Sequence, residues 1–262
     1  MLLSPTIEKL NTLRLKAMSK ALEAQIGNVE YQDLTFEERL GFLIDAEVTE
    51  RENKKLARLL SSAKLRNDAC MQAIIYKPSR KLDRSLILSL ETCQWIANRK
   101  NVIIIGSTGA GKTFMAQALA HNACMKGYSS HCLRLPKFFN ELALTKADGS
   151  YHRLIKSLIN FDVLILDDFA MSSLTEEQRR ELLEIVEERY DRKSTIITSQ
   201  LPVKLWHEAI GNSTIADAIL DRLVHNAYRI EIDSKESMRD ARHIYDVQTN
   251  TEQLEEDSDE KK

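Results

Sequence analysis

Residues 106–113 read Gly106-Ser107-Thr108-Gly109-Ala110-Gly111-Lys112-Thr113 and match the phosphate-loop pattern G-x-x-x-x-G-K-[ST] at every fixed position. Glycine allows backbone conformations that are closed to other residues, so successive N–H groups can point into one concavity and hold phosphate oxygens. Lys112 adds a compact, mobile positive charge for the terminal phosphates. The Thr113 hydroxyl is a ligand that Mg²⁺ accepts. Residues 106–113 are therefore predicted to bind a nucleotide and its magnesium ion.

The residues on either side of this loop suit the motif. Val102-Ile103-Ile104-Ile105 predicts a buried strand that enters the loop, and residues 114–125 predict a helix that leaves it. The positive end of that helix would then face the phosphates. A glycine-rich turn that merely joins a strand to a helix is the alternative, but it requires neither Lys112 nor Thr113.

A second apolar strand, residues 161–168, ends in Asp167-Asp168. Strand ends of a parallel sheet meet at one edge, so this strand can deliver a carboxylate to the phosphate loop. We interpret it as the Walker B element: Asp167 holds magnesium through its water shell, and Asp168 orients or deprotonates the attacking water. Two acids after a strand could also cap a helix; the complete phosphate loop upstream favours the metal site.

Another apolar strand, residues 195–200, ends in Ser199-Gln200. It would bring a hydroxyl or an amide to the same sheet edge, where either group could polarise water. An ordinary transition from strand to loop explains these residues equally well, and the sequence leaves both interpretations open.

The first part of the chain, residues 6–66, has helical periodicity and no strand-like alternation. Leucines and a methionine between residues 10 and 22 predict an amphipathic first segment, while Thr35-Phe36-Glu37-Glu38 and Thr49-Glu50-Arg51-Glu52 each have the capping-box form that opens a helix. The last predicted helix is basic, with Glu52 as its only acid in residues 51–66. Its cations are Arg51, Lys54, Lys55, Arg58, Lys64 and Arg66. They are candidates for contacting DNA phosphates, and a solvated basic face is the alternative.

Overall composition restricts the function classes. With 37 Lys+Arg against 39 Asp+Glu, any nucleic-acid binding must come from local clusters rather than from a global field. The 4 cysteines show no C-x-x-C spacing and are expected to be reduced thiols. No apolar run has membrane-spanning length and the first residues lack signal-peptide character, so we expect a cytoplasmic protein without a membrane partner.

Taken together, these motifs resemble the AAA+ ATPases of the DnaA/DnaC/IstB clade, and the chain looks closest to IstB-like transposition helper proteins. Further stretches carry the resemblance: residues 13–18 and 36–40, Arg134-Leu135-Pro136, and Ile219-Leu220-Asp221-Arg222-Leu223. The resemblance implies a P-loop AAA+ module of the α/β class, with a five-stranded parallel sheet between helices, preceded by a small all-α N-terminal domain. We expect a helical DNA- or partner-binding domain over 1–75, the AAA+ ATPase domain over 76–247 and an acidic, disordered tail over 248–262.

The resemblance also implies residue roles. Lys112 and Thr113 match the Walker A residues, Asp167 and Asp168 the Walker B acids, and Gln200, less closely Ser199, the sensor 1 position. Arg222 matches the arginine finger and Arg239 the sensor 2 arginine; a local salt bridge is the alternative for Arg222. Most AAA+ proteins have Glu where Asp168 stands, which leaves its role as catalytic base open. In initiator relatives an extra helix before the Walker B strand faces the central channel. In this chain that helix would be residues 136–147, which makes Lys137 and Lys146 secondary DNA candidates.

Two functions fit this resemblance. The first is an ATP-dependent DNA-binding regulator of transposition, which assembles into a homo-oligomer on double-stranded DNA and recruits or stimulates a cognate transposase. The second is a DnaC-like loader that holds a replicative helicase through its N-terminal domain. A small-molecule kinase shares the phosphate loop, but it needs neither Arg222 in trans nor a basic helical domain. The cofactors expected for the first two are ATP and Mg²⁺.

Overall fold

The computed structural model describes residues 3–66, 68–233 and 238. The chain divides into two compact units, Met1–Arg58 and Leu59 onward. This division lies before the predicted boundary between residues 75 and 76. The residues that follow it pack within the second unit: Ala63 is fully buried, and the Ser62 carbonyl contacts His131 Nδ1 at 2.7 Å. The predicted tail over 248–262 lies outside the described residues.

The first unit is helical, as predicted. Its helices are α1 (Leu3–Thr12), α2 (Lys16–Gln25) and α3, which spans Phe36–Ala63, with a 3₁₀ turn at Val29–Tyr31. The predicted single segment over residues 10–22 is interrupted because Arg14 has a left-handed φ of 61°. The Thr35 capping box forms with Glu38 at the start of α3. The helix start predicted at Thr49 is wrong, because α3 continues through it.

The second unit is built on a five-stranded parallel sheet with the order β2-β3-β4-β1-β5. The strands are β1 (Asn101–Gly106), β2 (Ser130–Arg134), β3 (Val163–Phe169), β4 (Ser194–Ser199) and β5 (Ala227–Ile232). The three central strands, β3, β4 and β1, are almost wholly buried because helices cover both faces of the sheet. The predicted fold class is confirmed.

Helices alternate with the strands in chain order. They are α4 (Arg84–Glu91), α5 (Gln94–Ala97), α6 (Lys112–Met125), α7 (Leu135–Ala147), α8 (Tyr151–Asn160), α9 (Glu176–Arg189), α10 (Trp206–Ile210) and α11 (Ser213–Val224). Short 3₁₀ turns occur at Met71–Ala73, Pro78–Arg80 and Val203–Leu205. Helices α4 and α5 are separated at Cys93, which has a left-handed φ of 62°.

The core has one part on each face of the sheet. Helices α4 to α6 cover one face around Met115 and Trp95, whose indole N–H donates to the Leu90 carbonyl. Helices α7 to α11 cover the other face around Phe169 and Trp206. Trp95 and Trp206 are both fully buried core residues. All four cysteines are free thiols, and Cys93 and Cys124 are buried.

Candidate nucleotide site

The candidate site lies at the carboxyl edge of the sheet, where β1, β3 and β4 end side by side. Parallel pairing places Ile104 opposite Thr198, and Arg134 opposite Asp167. The phosphate loop follows β1 directly. The structure therefore brings together Lys112, Thr113, Asp167, Asp168 and Gln200, which the sequence analysis placed in one site.

The phosphate loop has the backbone that its glycines predict. Gly109 and Gly111 have φ values of 81° and 89°, and α6 begins at Lys112. A Cβ atom on Gly106 would lie 2.6 Å from the Ile232 carbonyl oxygen, so only glycine fits at the end of β1. The loop forms one wall of a cleft of about 640 Å³. A cleft of this size, with backbone N–H groups at a helix start, suits a nucleoside triphosphate.

Lys112 is held inside this cleft. Its Nζ donates to the Ser107 carbonyl at 2.8 Å, and the residue is largely buried. Burial lowers the pKa of Lys112, and the neighbouring carboxylates of Asp168 and Asp167 oppose that shift. The lysine can exchange its carbonyl partner for a phosphate oxygen without leaving the loop.

Asp167 is the centre of a buried hydrogen-bond network. Its Oδ1 accepts from Thr113 Oγ1 at 2.8 Å and from Thr198 Oγ1 at 2.5 Å. Thr198 is fully buried and also accepts from the Asp168 backbone N–H at 3.2 Å. Carboxylate and hydroxyl oxygens are the donor set that Mg²⁺ prefers, so Thr113 and Asp167 fit the predicted metal site. Thr198 was not predicted from the sequence, although its place near the end of a predicted strand was a usable signal.

Asp168 has a different environment from its neighbour. Its backbone is left-handed, with a φ of 59°, at an irregularity in the pairing of β3 with β4. Its Oδ2 accepts from Arg134 Nε at 2.7 Å. The role of Arg134 at the site was likewise not predicted from the sequence. It stands at the end of β2, the edge strand beside β3, and its pKa is raised by the hydrogen bond to Asp168.

Of the two sensor 1 candidates, Gln200 faces the cleft. Its Oε1 accepts from Thr108 Oγ1 of the phosphate loop at 2.8 Å. Ser199 is fully buried and donates to the Phe169 carbonyl at 2.8 Å, so its hydroxyl supports the strand end. The geometry therefore distinguishes Gln200, which lines the cleft, from Ser199, which is buried behind the strand end.

The side chain of Arg80 is hydrogen-bonded to the phosphate loop. Its guanidinium is buried and donates to the carbonyls of Ile75 and Ala110, the second at 2.9 Å. A Cβ atom on Gly111 would lie 3.1 Å from Arg80 Nη2. Burial lowers the pKa of this guanidinium. Only the folded structure shows that the segment around Pro78 contacts the phosphate loop.

Comparison with known proteins agrees with this geometry. The family described as IstB-like ATP binding protein matches residues 8–244. The chain belongs to this IstB-like ATP-binding family. A putative insertion sequence ATP-binding protein of Sinorhizobium fredii is 48% identical over 239 residues, which cover 91% of this chain and 97% of the relative.

Solved structures with the same fold belong to the DnaA/DnaC group of AAA+ proteins. DnaI has a TM-score of 0.55 at 21% identity, with coverage of 63% of this chain and 91% of DnaI. The DnaC helicase loader has a TM-score of 0.52 at 22% identity, with coverage of 63% and 97%. The IstB-like chain therefore carries a P-loop AAA+ fold.

Arg222 lies away from the phosphate loop of its own chain. Its backbone carbonyl accepts from the side chain of Asn101, the first residue of β1, whereas the phosphate loop follows the last. The Arg222 guanidinium pairs with Glu187 at 2.9 Å and donates to the Ala218 carbonyl. The local salt bridge that the sequence analysis gave as the alternative is thus present in the single chain. Arg239 lies outside the described residues.

Three of the four basic candidates in the first unit line a groove. It has a volume of about 880 Å³, and its rim includes Arg51, Lys54 and Arg58 together with Arg14 and Lys16. Arg51 pairs with Glu47 and Lys54 with Glu50, at 2.8 and 2.7 Å. Lys55 is exposed on the same helix.

The other basic candidates have separate locations. Arg66 lines the nucleotide cleft, and Lys64 is exposed. Lys137 is exposed and pairs with Glu141 at 3.6 Å. Lys146 contacts both Glu177 and Glu181, so its charge is already compensated. Of the two α7 lysines, Lys137 is the more available for a phosphate.

None of the helices that the structure describes combines the length and the apolar character that crossing a bilayer requires.

Proposed function

We propose that the protein is an ATP-dependent, DNA-binding regulator of transposition. It assembles on target DNA, hydrolyses ATP and recruits or stimulates a transposase. The observation that carries this proposal is the pair of hydrogen bonds that Asp167 accepts from Thr113 and Thr198 beside the phosphate loop, because these bonds hold a carboxylate and a hydroxyl where magnesium and phosphate would bind. Membership of a family of insertion-sequence ATP-binding proteins supports the transposition context.

The residues around the cleft have distinct tasks in this proposal. Residues 106–113 bind the phosphates, and Lys112 exchanges the Ser107 carbonyl for a terminal phosphate oxygen. Thr113 and Asp167 would hold Mg²⁺, which supplies positive charge against the phosphate oxygens. Asp168 orients the attacking water or accepts its proton, and it must first release Arg134. Gln200 is placed to polarise that water once its oxygen parts from Thr108.

Hydrolysis in this proposal requires a neighbouring subunit. Arg222 is absent from the lining of its own cleft and lies at the opposite edge of the sheet. In an assembled homo-oligomer it would act on the neighbour's ATP and stabilise charge in the transition state. Arg239 would act as the sensor 2 residue. The ion pair with Glu187 then keeps Arg222 occupied in the isolated chain.

DNA binding is assigned to the basic groove of the first unit, with Lys137 as a further contact. Five of the groove's rim residues are cations and two, Glu47 and Glu50, are acids. Such a surface neutralises backbone phosphates and releases counterions, so affinity should fall steeply with salt and vary little with sequence. Double-stranded DNA is the proposed ligand.

The second candidate function is a helicase loader, which the fold shared with the DnaC helicase loader favours. One experiment separates the two. Purified protein with ATP and DNA is tested for capture of the transposase from the same insertion sequence and, in parallel, of a replicative helicase. Transposase capture that is lost in the Lys112→Ala variant supports the first function. Helicase capture alone overturns it in favour of the loader.

The DNA assignment has its own test. Lys54→Glu/Lys55→Glu should weaken DNA binding and reduce its salt dependence, whereas Lys156→Glu, a lysine exposed on α8, should change neither. Fluorescence anisotropy over a salt series measures both quantities. If the double variant keeps the affinity and the salt dependence of the parent, this face of the helix is solvated surface that does not contact DNA.

A further inference from the structure

Arg66 lines the nucleotide cleft, although it belongs neither to the phosphate loop nor to a strand. Its backbone N–H donates to Gln117 Oε1 at 3.2 Å, and Gln117 belongs to α6, the helix that begins at Lys112. Leu65, just before it, packs against the core, and Ala69, just after it, is fully buried. The main chain at Arg66 is therefore fixed against α6 within the second unit.

The contacts of Gln117 locate Arg66 within the cleft. Gln117 is one turn beyond Thr113 on the same side of α6, and Thr113 is a residue of the candidate magnesium site. The Gln117 amide also donates to Cys132 Sγ at 3.6 Å, and Cys132 is two residues before Arg134 on one face of β2. Arg66 therefore enters the cleft on the side of the magnesium site, where the terminal phosphates of a nucleotide would lie.

Three cations line the cleft among the described residues, and the Arg66 side chain is the one held least closely. Lys112 donates to a carbonyl of the phosphate loop, and Arg134 is hydrogen-bonded to Asp168. Arg66 pairs with Asp68 at 4.0 Å, and its side chain is 65% exposed. An exposed pair of this kind contributes little, so the guanidinium can exchange Asp68 for a phosphate oxygen. The planar guanidinium binds phosphate oxygens through paired N–H donors.

We propose that Arg66 binds the terminal phosphate of the ATP held by its own chain. This assignment rests on the nucleotide site proposed above, and it adds to Lys112 a second cation from outside the phosphate loop. It also moves Arg66 from the DNA candidates to the nucleotide site. The contact lets the protein distinguish ATP from ADP, because only ATP carries the phosphate that Arg66 contacts.

The first test compares two nucleotides by calorimetric titration of the full chain in the presence of Mg²⁺. Arg66→Ala should raise the dissociation constant of the non-hydrolysable β,γ-imido analogue of ATP about tenfold, and that of ADP less than about threefold. Arg66→Lys should lie between parent and Arg66→Ala, since it keeps the charge but loses the paired donors. Lys64→Ala is the matched control, because Lys64 is an exposed cation two residues away that does not line the cleft. It should change neither affinity.

A stability measurement separates nucleotide contact from a structural role. Arg66→Ala keeps the backbone N–H that is hydrogen-bonded to Gln117, so without nucleotide its Tm should equal that of the parent. The ATP analogue should then raise the Tm less in Arg66→Ala than in the parent, whereas ADP should raise both about equally. Arg66→Gln repeats the titrations with a longer polar side chain and should show the same selective loss for the ATP analogue.

The second test addresses DNA binding, the role that the sequence suggests for Arg66. With the ATP analogue at saturating concentration, Arg66→Ala should keep the DNA affinity and the salt dependence of the parent, as measured by fluorescence anisotropy. A lower DNA affinity and a weaker salt dependence, together with unchanged nucleotide affinities, would overturn the proposal and assign Arg66 to DNA.

Two results of the titrations would also overturn the proposal. Unchanged affinities in Arg66→Ala would exclude the contact, and equal losses for the two nucleotides would mean that Arg66 acts on a part that ATP and ADP share. Lys112→Ala distinguishes these results from a failure of the nucleotide site. If Lys112→Ala loses both nucleotides while Arg66→Ala binds them like the parent, only the Arg66 assignment falls. If Lys112→Ala also binds them like the parent, the proposed nucleotide site itself is wrong.

Discussion

Asp167 and Asp168 are adjacent in the chain but have different partners, and this difference separates their roles. Asp167 is buried and accepts from two hydroxyl groups, Thr113 and Thr198. Asp168 pairs with the exposed cation of Arg134. A carboxylate tied to hydroxyl groups at the phosphate loop is suited to a metal ion, whereas one held by a removable side chain can be released toward water.

The network around Asp167 gives a graded prediction. Asp167→Asn removes the metal-side charge and should lower ATP turnover roughly a hundredfold to a thousandfold, with a much smaller loss of nucleotide affinity. Thr198→Val keeps the carboxylate but removes the hydroxyl that orients it, and a loss of about tenfold to a hundredfold is expected. Steady-state hydrolysis and equilibrium nucleotide titration check both changes. Equal losses of affinity and turnover in Asp167→Asn would contradict the metal role.

The ion pair between Arg134 and Asp168 predicts a gain of activity. Arg134→Ala releases the Asp168 carboxylate, so hydrolysis without DNA should rise by up to about fivefold, because a partly exposed pair contributes up to ~1 kcal/mol. Arg134→Lys keeps a cation and should lie close to the parent. Basal turnover of the three proteins measures the effect. A decrease in Arg134→Ala would indicate that the arginine assists hydrolysis rather than restraining Asp168.

At the scale of elements, the 3₁₀ turn at Pro78–Arg80 supports the phosphate loop through one side chain. Arg80→Met leaves the buried carbonyls of Ile75 and Ala110 without their donor, which should cost about 1–3 kcal/mol of folding stability and should weaken ATP binding roughly tenfold. Arg80→Lys should recover part of both. Urea unfolding and ATP titration provide the two readouts. A stability loss without any change in ATP affinity would mean that the turn is structural only.

Elements with a strong periodic signal could be predicted from the sequence. The strands predicted before Gly106 and over residues 161–168 and 195–200 were placed to within two residues of β1, β3 and β4, because buried parallel strands contain near-continuous apolar runs. The helix breaks at Arg14 and Cys93 were not, since a non-glycine residue in the left-handed region leaves no mark in composition. The helix start predicted at Thr49 was wrong because a capping-box pattern can also occur inside a helix, where intrahelical hydrogen bonds already satisfy the backbone.

The site residues also fall into two groups, those that belong to local sequence motifs and those whose roles depend on long-range contacts. Residues 106–113, Asp167 and Asp168 belong to short motifs and were found. Thr198 and Arg134 come from neighbouring strands and gain their roles only from strand register, which pairs Ile104 with Thr198 and Arg134 with Asp167. Arg80 reaches the phosphate loop through a turn that local sequence marks only as a break in helical periodicity.

At the scale of the whole molecule, Arg222 is the residue through which the proposed assembly and hydrolysis depend on each other. It sits at the edge of the sheet opposite the phosphate loop and is held by Glu187 within its own chain. If Arg222 acts only in that ion pair, Arg222→Ala and Glu187→Gln should have the same small effect on stability and none on turnover. If Arg222 acts on a neighbour, only Arg222→Ala should slow hydrolysis.

The mixing experiment decides between these roles. Arg222→Ala chains should bind ATP almost normally yet hydrolyse it on the order of a thousandfold more slowly, the size of effect seen when an arginine finger is lost. Lys112→Ala chains lack a working phosphate loop but keep Arg222. Mixing the two should restore activity, because a Lys112→Ala chain can offer its arginine to the intact site of an Arg222→Ala chain. Turnover is measured across mixing ratios with and without DNA, using Glu187→Gln with Lys112→Ala as the control mixture. Strictly additive rates, with wild-type turnover independent of protein concentration, would exclude a site shared between subunits, since each chain would then carry all the groups that its own hydrolysis requires.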